Sequence, residues 1–239
     1  MLQISDMSSV VIIPTYNERN NIEQVIPAIF NLLPTISILV VDDNSPDGTA
    51  EVVCELQKKY PTLRLLNRPN KEGLGKAYIQ AFTTVLADSE IETVVMMDAD
   101  LSHDPKHLKE MLELRSDYDL IIGSRYIKGG RTEGWQLYRR ILSRGANLYC
   151  KFITGLPFFD CTGGFNAVNA QLLRKIDLNK INVSGYAFIM HFKYLLNEAG
   201  ATSHEIPIVF KNRIDGVSKL SNLIIREGIL APWKMRWKI

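Results

Sequence analysis

Two carboxylates two residues apart, Asp98 and Asp100, close the run Val94-Val95-Met96-Met97-Asp98-Ala99-Asp100. The run reads as a short buried strand that ends abruptly in acid. An unpaired buried carboxylate costs several kcal/mol, so such a pair needs a partner. Alternation along a strand points both side chains to one side, where both can address one ion. Carboxylate oxygens suit a hard cation such as Mg²⁺ or Mn²⁺. Mg²⁺ is commonly held by one or two carboxylates together with substrate phosphates. By itself the pair also fits a solvated turn after a core strand, and the surrounding chain has to decide between the two.

The elements around the pair form a repeating pattern. Apolar runs at 10–13, 36–41, 63–66, 94–97 and 119–122 predict five strands. Helical spacing of Ile22, Val25, Ile26, Ile29, Phe30 and Leu33 predicts a first helix. Asp47 or Thr49 can cap a second, running to about Tyr60, and Gly73 and Gly75 open a third, to about Leu86. Asp104-Pro105 starts a fourth, with Pro at its first position. Strand alternating with helix is the pattern of a mostly parallel sheet covered on both faces. Pro14 to Glu18, Asp42-Asp43 and Asp98 to Asp100 then all fall just past the carboxyl end of a strand. That edge is where open α/β sheets bind ligands. Three such turns on one edge favour a site over a chance turn.

Two familiar phosphate loops are missing. Gly73-Leu74-Gly75-Lys76-Ala77 fails the Walker spacing, because Asn70 stands where the first Gly belongs and Ala77 cannot ligate Mg²⁺. The dinucleotide fingerprint fails at Tyr78. A P-loop ATPase and a dinucleotide-dependent dehydrogenase are therefore excluded, and the acids point to a metal that handles the phosphates of a nucleotide.

The 239 residues fit one large domain, or one domain with an appendage. A net charge of +2 argues against a nucleic-acid binder, but residues 125–151 hold seven Arg or Lys against Glu133 alone. Cys54, Cys150 and Cys161 are scattered without a CxxC, which fits a reducing compartment. There is no signal-peptide pattern and no run of the roughly 18 apolar residues that a spanning helix needs. A helix from Trp135 to about Thr154 carries Leu137, Ile141, Leu148 and Phe152 on one broad face, with Arg140 and Arg144 elsewhere. It fits a membrane interface with anionic headgroups, or equally a core-facing helix with a solvated basic side. Residues 158–168 read as a tight turn, 186–198 as a helix and 204–210 as a strand. Arg213 and Lys219, on a Gly-containing loop, suit a diphosphate or form a solvated charge run. The tail from Pro232 to Ile239 alternates Trp with Lys and Arg and fits interfacial anchoring.

Taken together, the motifs are recognisable. They are Pro14-Thr-Tyr-Asn-Glu18, Val41-Asp-Asp-Asn-Ser-Pro-Asp-Gly-Thr49, Asp98-Ala-Asp-Leu-Ser-His-Asp-Pro105, Gly123-Ser-Arg-Tyr126, Ser143-Arg-Gly-Ala-Asn147 and the segment from Arg213 to Lys219. Over residues 10–222 the chain resembles the dolichol-phosphate (polyprenol-phosphate) mannose synthases among the family 2 glycosyltransferases. The Gln-x-x-Arg-Trp motif of the processive synthases is absent. The resemblance implies a single GT-A domain, Rossmann-like, over 1–239. Within it, 8–125 would bind the nucleotide sugar, 126–222 the acceptor, and 223–239 would be a basic amphipathic tail on a membrane surface.

The family's roles carry over by residue type. Pro14, Tyr16, Glu18, Val41 and Asp43 would hold the base and ribose. Asp98, Ala99 and Asp100 would hold the diphosphate through Mg²⁺ or Mn²⁺, with Asp98 and Asp100 as the metal ligands. Arg125 would sit between donor and acceptor and, with Asp100, serve catalysis. Arg139 and Ser143 would grip the lipid phosphate, and Arg213 and Lys219 would close over the donor. Asn166 and His191 depart from the family pattern, which has Arg and an acid there, and bear on acceptor and sugar preference. The implied reaction moves mannose from GDP-mannose to dolichyl or polyprenyl phosphate with inversion, on the cytoplasmic face of a membrane. A membrane-anchoring partner subunit is one way to hold the chain there. Two alternatives stay open: a glucosyl or N-acetylhexosaminyl transferase using a UDP-sugar, and a non-catalytic nucleotide-binding relative.

Overall fold

The computed structural model describes residues 8–181, 185–212 and 222–237. Its centre is a seven-stranded sheet of order β3-β2-β1-β4-β7-β5-β8. The strands are β1 (Ser9–Thr15), β2 (Ser37–Asp42), β3 (Leu63–Asn67), β4 (Thr93–Met96), β5 (Leu120–Ser124), β7 (Asn166–Asn169) and β8 (Ser203–Pro207). All pair in parallel except β7, which runs antiparallel to both β4 and β5. A small second sheet pairs β6 (Arg131–Thr132) with β9 (Val209–Phe210). The predicted α/β sheet is thus present, with one reversed strand. The turn expected at 158–168 gives way to that strand at Asn166, because Asn166-Ala-Val-Asn fills the gap between β4 and β5.

Alternation sorts the strand residues into two cores. Val10, Ile12, Val94, Met96, Leu120 and Ile122 pack on one face with α3 (Leu74–Leu86) and α7 (Gly185–Glu198). Val11, Ile13, Val95, Met97 and Ile121 pack on the other with α1 (Arg19–Leu32) and α4 (His107–Glu113). Such near-continuous burial is why these strands read as unbroken apolar runs. On the first face, Tyr78 stacks on Phe188 at 5.9 Å and Phe82 on Phe192 at 5.3 Å, fixing α7 against α3. The remaining helices are α2 (Thr49–Gln57), α5 (Leu137–Thr154), α6 (Ala170–Arg174) and α8 (Asn222–Trp237). The helix predicted from Asp104-Pro105 begins two residues later, after a turn in which Leu108 N–H bonds the Pro105 carbonyl. Among the described residues no helix is long and apolar enough to cross a membrane.

Candidate active site

The carboxyl ends of β1, β2 and β4 converge, and each is followed by a non-glycine residue in the left-handed region. These are Asn17 (φ 59°), Asn44 (φ 56°) and Leu101 (φ 59°). Such conformations are held only where surrounding contacts enforce them. After β1, the backbone N–H groups of Asn17, Glu18 and Arg19 donate to Ser45 Oγ, Thr49 Oγ1 and Asp47 Oδ2 at 3.0–3.1 Å. Asp42, fully buried, accepts from Thr15 Oγ1 at 2.8 Å and from Ser45 N and Oγ at 2.8 and 2.6 Å. Asp42 is therefore a brace for the turn. Asp43 is gripped by the buried guanidinium of Arg68, which also donates to Glu72 at 2.8 Å and Gln80 at 2.9 Å. Lys71, in the same loop, lies 3.5 Å from the centre of the Tyr16 ring.

The carboxylate pair sits at the next strand end. Asp98 keeps 29% of its side chain exposed, whereas Asp100 is nearly buried. Asp100 Oδ1 accepts from Ser102 N at 3.1 Å and Ser102 Oγ at 2.5 Å. His103 accepts from Asp98 N at Nδ1 (3.1 Å), which leaves its proton on Nε2, 3.9 Å from Asp98 Oδ2. Burial holds this imidazole below its ordinary value although Asp98 and Asp100 oppose the shift, so it is neutral at pH 7. The ring stacks on Phe165 at 4.9 Å and meets Phe210 edge-on at 5.4 Å. Gly164 comes close enough that a Cβ there would lie 3.7 Å from Asp98 Oδ1. Among the described residues no cluster of three or more His, Cys, Asp or Glu could hold a metal alone. Two oxygen donors, one exposed, fit a hard cation that completes its shell from phosphate and water.

Past β5 the geometry turns cationic. Arg125 is nearly buried and bonds Asp160 in a fork, Nε to Oδ2 at 2.8 Å and Nη2 to Oδ1 at 2.7 Å. Its own N–H and that of Gly163 also donate to this carboxylate, at 3.0 and 2.8 Å. Burial alone would raise the Asp160 carboxyl, but Arg125 and Lys193 overcome it and hold the group at about 2. Lys193, fully buried on α7, donates to the Asp160 carbonyl at 2.7 Å. Burial lowers its ammonium to about 8 against the pull of Asp160. Asn147 ties α5 to this loop: its Oδ1 accepts from Cys161 N at 2.7 Å and Thr162 N at 3.1 Å. Gly130 closes over Arg125, since a Cβ there would meet the Ser124 carbonyl at 2.5 Å.

The expected residues divide as follows. Pro14, Tyr16, Glu18, Val41 and Asp43 gather at the ends of β1 and β2, and Asp98, Ala99 and Asp100 at the end of β4. Arg125 lies between this edge and α5 but is engaged by Asp160 and Thr162. Ser143 Oγ accepts from Tyr126 OH at 2.6 Å. Arg139 turns to the Trp135 ring at 4.0 Å and to Asn212 at 3.4 Å. Arg213 and Lys219 lie outside the described residues. Of the departures, Asn166 is buried in β7 and donates to the Gly163 carbonyl at 3.1 Å, while His191 is half-buried on α7. Sequence reasoning passed over Arg68 and Lys193. Lys193 did leave a signal, a cation beside Phe188 and Phe192 on the apolar stripe of a helix.

A strand-edge carboxylate pair, braced turns beside it and a buried arginine beyond them form one candidate active-site edge. The chain belongs to glycosyl transferase family 2, whose profile matches residues 10–177, and it is a glycosyltransferase. It is 39% identical over 235 residues to a polyprenol monophosphomannose synthase of Mycolicibacterium smegmatis, covering 97% of this chain and 88% of that one. It is 37% identical to an undecaprenyl-phosphate mannosyltransferase of Micrococcus luteus, covering 97% of both. Among solved structures it resembles glucosyl-3-phosphoglycerate synthase of Mycobacterium tuberculosis, with a TM-score of 0.70 at 17% identity over 98% of this chain and 83% of that one. It also resembles the mannosyltransferase PcManGT of Pyrobaculum calidifontis in complex with GDP-Man and Mn²⁺, with a TM-score of 0.59 at 17% identity over 96% and 71%. The resemblance read from the motifs and the GT-A-like fold are thereby borne out.

Proposed function

We propose that this glycosyltransferase moves mannose from GDP-mannose to a polyprenyl phosphate, releasing GDP, at a membrane surface. The observation that carries the reading is one continuous edge. A carboxylate pair suited to a metal-bound diphosphate stands beside Gly164, and Gly163 lies against Asp160 of the Arg125–Asp160 couple. The relatives' names support the sugar and the lipid class, at 36–39% identity over nearly the whole chain. The PcManGT complex supports a guanosine donor with a divalent cation.

Asp98 and Asp100 would hold Mg²⁺ or Mn²⁺, which supplies positive charge to the departing diphosphate. Pro14, Tyr16, Glu18, Val41 and Asp43 hold the nucleoside, with Arg68 fixing Asp43. Arg125, locked by Asp160, presents fixed positive charge where donor and acceptor phosphates meet. A phosphate oxygen of the acceptor attacks the anomeric carbon, the bond from that carbon to the diphosphate breaks, and the centre inverts. No base is needed, because a phosphate monoester with a second pKa of about 6 is already largely dianionic at pH 7.

The lipid acceptor requires a bilayer, and α5 and α8 supply the contact. Leu148 is 69% and Phe152 82% exposed on α5, and Trp233 stacks on Trp237 at 4.5 Å on α8. An apolar face of this size turned to solvent, flanked by Arg140, Arg144 and Lys151, suits an anionic lipid surface. Free Cys54, Cys150 and Cys161 fit its cytoplasmic side.

The test is transfer of labelled sugar from a panel of nucleotide sugars into the organic phase, with polyprenyl phosphate, with and without Mn²⁺. Lipid-phase label from GDP-mannose alone, and only with metal, is expected. Label only from a uridine donor would replace the donor and keep the mechanism. No label from any donor would overturn the reading.

A further inference from the structure

The loop after β3 reaches into the turns that follow β1 and β2, although none of its residues belongs to the nucleoside set read from the motifs. Its Arg68 N–H donates to the Asp42 carbonyl at 2.8 Å, and Asn44 Nδ2 donates to the Pro69 carbonyl at 3.2 Å. Lys71 lies over the Tyr16 ring. The Arg68 side chain is the hub of these contacts. It is 2% exposed, and each of its three guanidinium nitrogens has an acceptor of its own. Nε donates to Gln80 Oε1 on α3 at 2.9 Å, Nη2 to Glu72 Oε2 in the loop at 2.8 Å, and Nη1 to Asp43 Oδ1. Neutralising one carboxylate needs one contact. Three acceptors around a rigid plane fix a direction as well. The guanidinium is thus set from α3 and from its own loop, and it sets Asp43 in turn.

We infer that Arg68 is a positioning residue that makes Asp43 a selector of nucleobase class: it binds Oδ1 and so aims Oδ2 at the ring N–H that guanine and uracil carry and adenine and cytosine lack. The inference rests on the reading above in which Asp43 holds the nucleoside. A carboxylate paired with a guanidinium only accepts. Guanine N1 and uracil N3 donate, whereas adenine N1 and cytosine N3 would face it lone pair to lone pair. A site built to take an N–H rejects an analogue without one far more strongly than an apolar wall rejects a change of size. Arg68 acts through Asp43 alone, and its bonds to Gln80 and Glu72 keep the acid from turning.

The test is calorimetric titration of the full-length protein, with Mn²⁺ present, by GDP, UDP, ADP, CDP and inorganic pyrophosphate in turn. The wild type is expected to bind GDP or UDP roughly 100-fold or more tightly than ADP and CDP. Arg68→Met should weaken the preferred nucleotide roughly 10- to 100-fold and narrow that ratio about 10-fold. Pyrophosphate, which carries no base, should stay within about 2-fold. Arg68→Lys keeps the charge and loses the fork, so it should bind like Arg68→Met. Full recovery in Arg68→Lys would show that charge suffices and overturn the inference. A parallel loss of nucleotide and pyrophosphate would also overturn it, making Arg68 a support of the whole edge. So would a wild type that does not separate GDP and UDP from ADP and CDP, or nucleotide binding unchanged in Arg68→Met but weakened in Asp43→Asn. If Asp43→Asn binds every nucleotide as the wild type does, the nucleoside reading itself fails, and the inference with it.

Discussion

Replacing Asp160 with Asn tests the centre of the site. The Asp160 carboxylate is fully buried and accepts from Arg125 N, Nε and Nη2 and from Gly163 N. An amide keeps one acceptor oxygen and turns donors toward a guanidinium that can only donate. Arg125 would then stay buried without a counter-charge, a situation that costs about 3–5 kcal/mol. The same pairing with Arg125 lowers the acid itself. Its carboxyl lies at about 2 rather than 3.8, worth about 2 kcal/mol of native-state preference for the ionised form. A lowered carboxylate stabilises above its unfolded value and loses that contribution as pH falls through the folded one. The difference between wild type and Asp160→Asn should therefore be full at pH 7 and shrink as pH falls from about 4 toward 2. Urea unfolding followed by fluorescence reads this directly. With a slope of about 3 kcal/mol per M, the midpoint at pH 7 should drop by about 1 M or more. Transfer should fall about 100-fold or further, because Arg125 no longer points one way. A midpoint shift under about 0.3 M, together with transfer within a few-fold of wild type, would show that Asp160 does not hold Arg125.

Three further outcomes are expected. Asp100→Ala should abolish Mn²⁺-dependent binding of GDP, and EDTA should do the same to the wild type reversibly; titration calorimetry with unchanged affinity would refute the metal role. Lys193→Met should remove a pH dependence of stability. The lysine's folded value of about 8 lies below its ordinary 10.5, so the wild type gains up to about 3 kcal/mol as pH rises between them and the variant does not, as denaturation at pH 7.5 and 10 will show. Leu148→Glu/Phe152→Glu should release the protein from anionic vesicles in a flotation assay while leaving the far-UV spectrum intact, because both side chains contact solvent and not the core. Retained flotation would move the membrane contact elsewhere.

Much of this architecture is legible in the amino-acid order. The apolar runs that become β1, β2, β4 and β5 announce themselves because a strand buried on both faces has no polar positions to break it. The acids after β1, β2 and β4 fall on one edge by topology alone, and that edge is the candidate site. Helix α5 shows its amphipathic period at a glance. Periodicity says which residues share a face, but not whether that face meets protein or solvent. Only the folded chain turned Leu148 and Phe152 outward and Cys150 and Asn147 inward. Likewise β7 is too short and too polar to stand out, and its antiparallel insertion between β4 and β5 is settled by the vacancy those strands leave. Arg68 on Asp43, Lys193 on the Asp160 carbonyl and Arg139 on Asn212 join residues 25, 33 and 73 positions apart. Pairings of that kind depend on the final placement of whole elements, because such a partner is chosen by proximity in space and leaves no spacing to read along the chain.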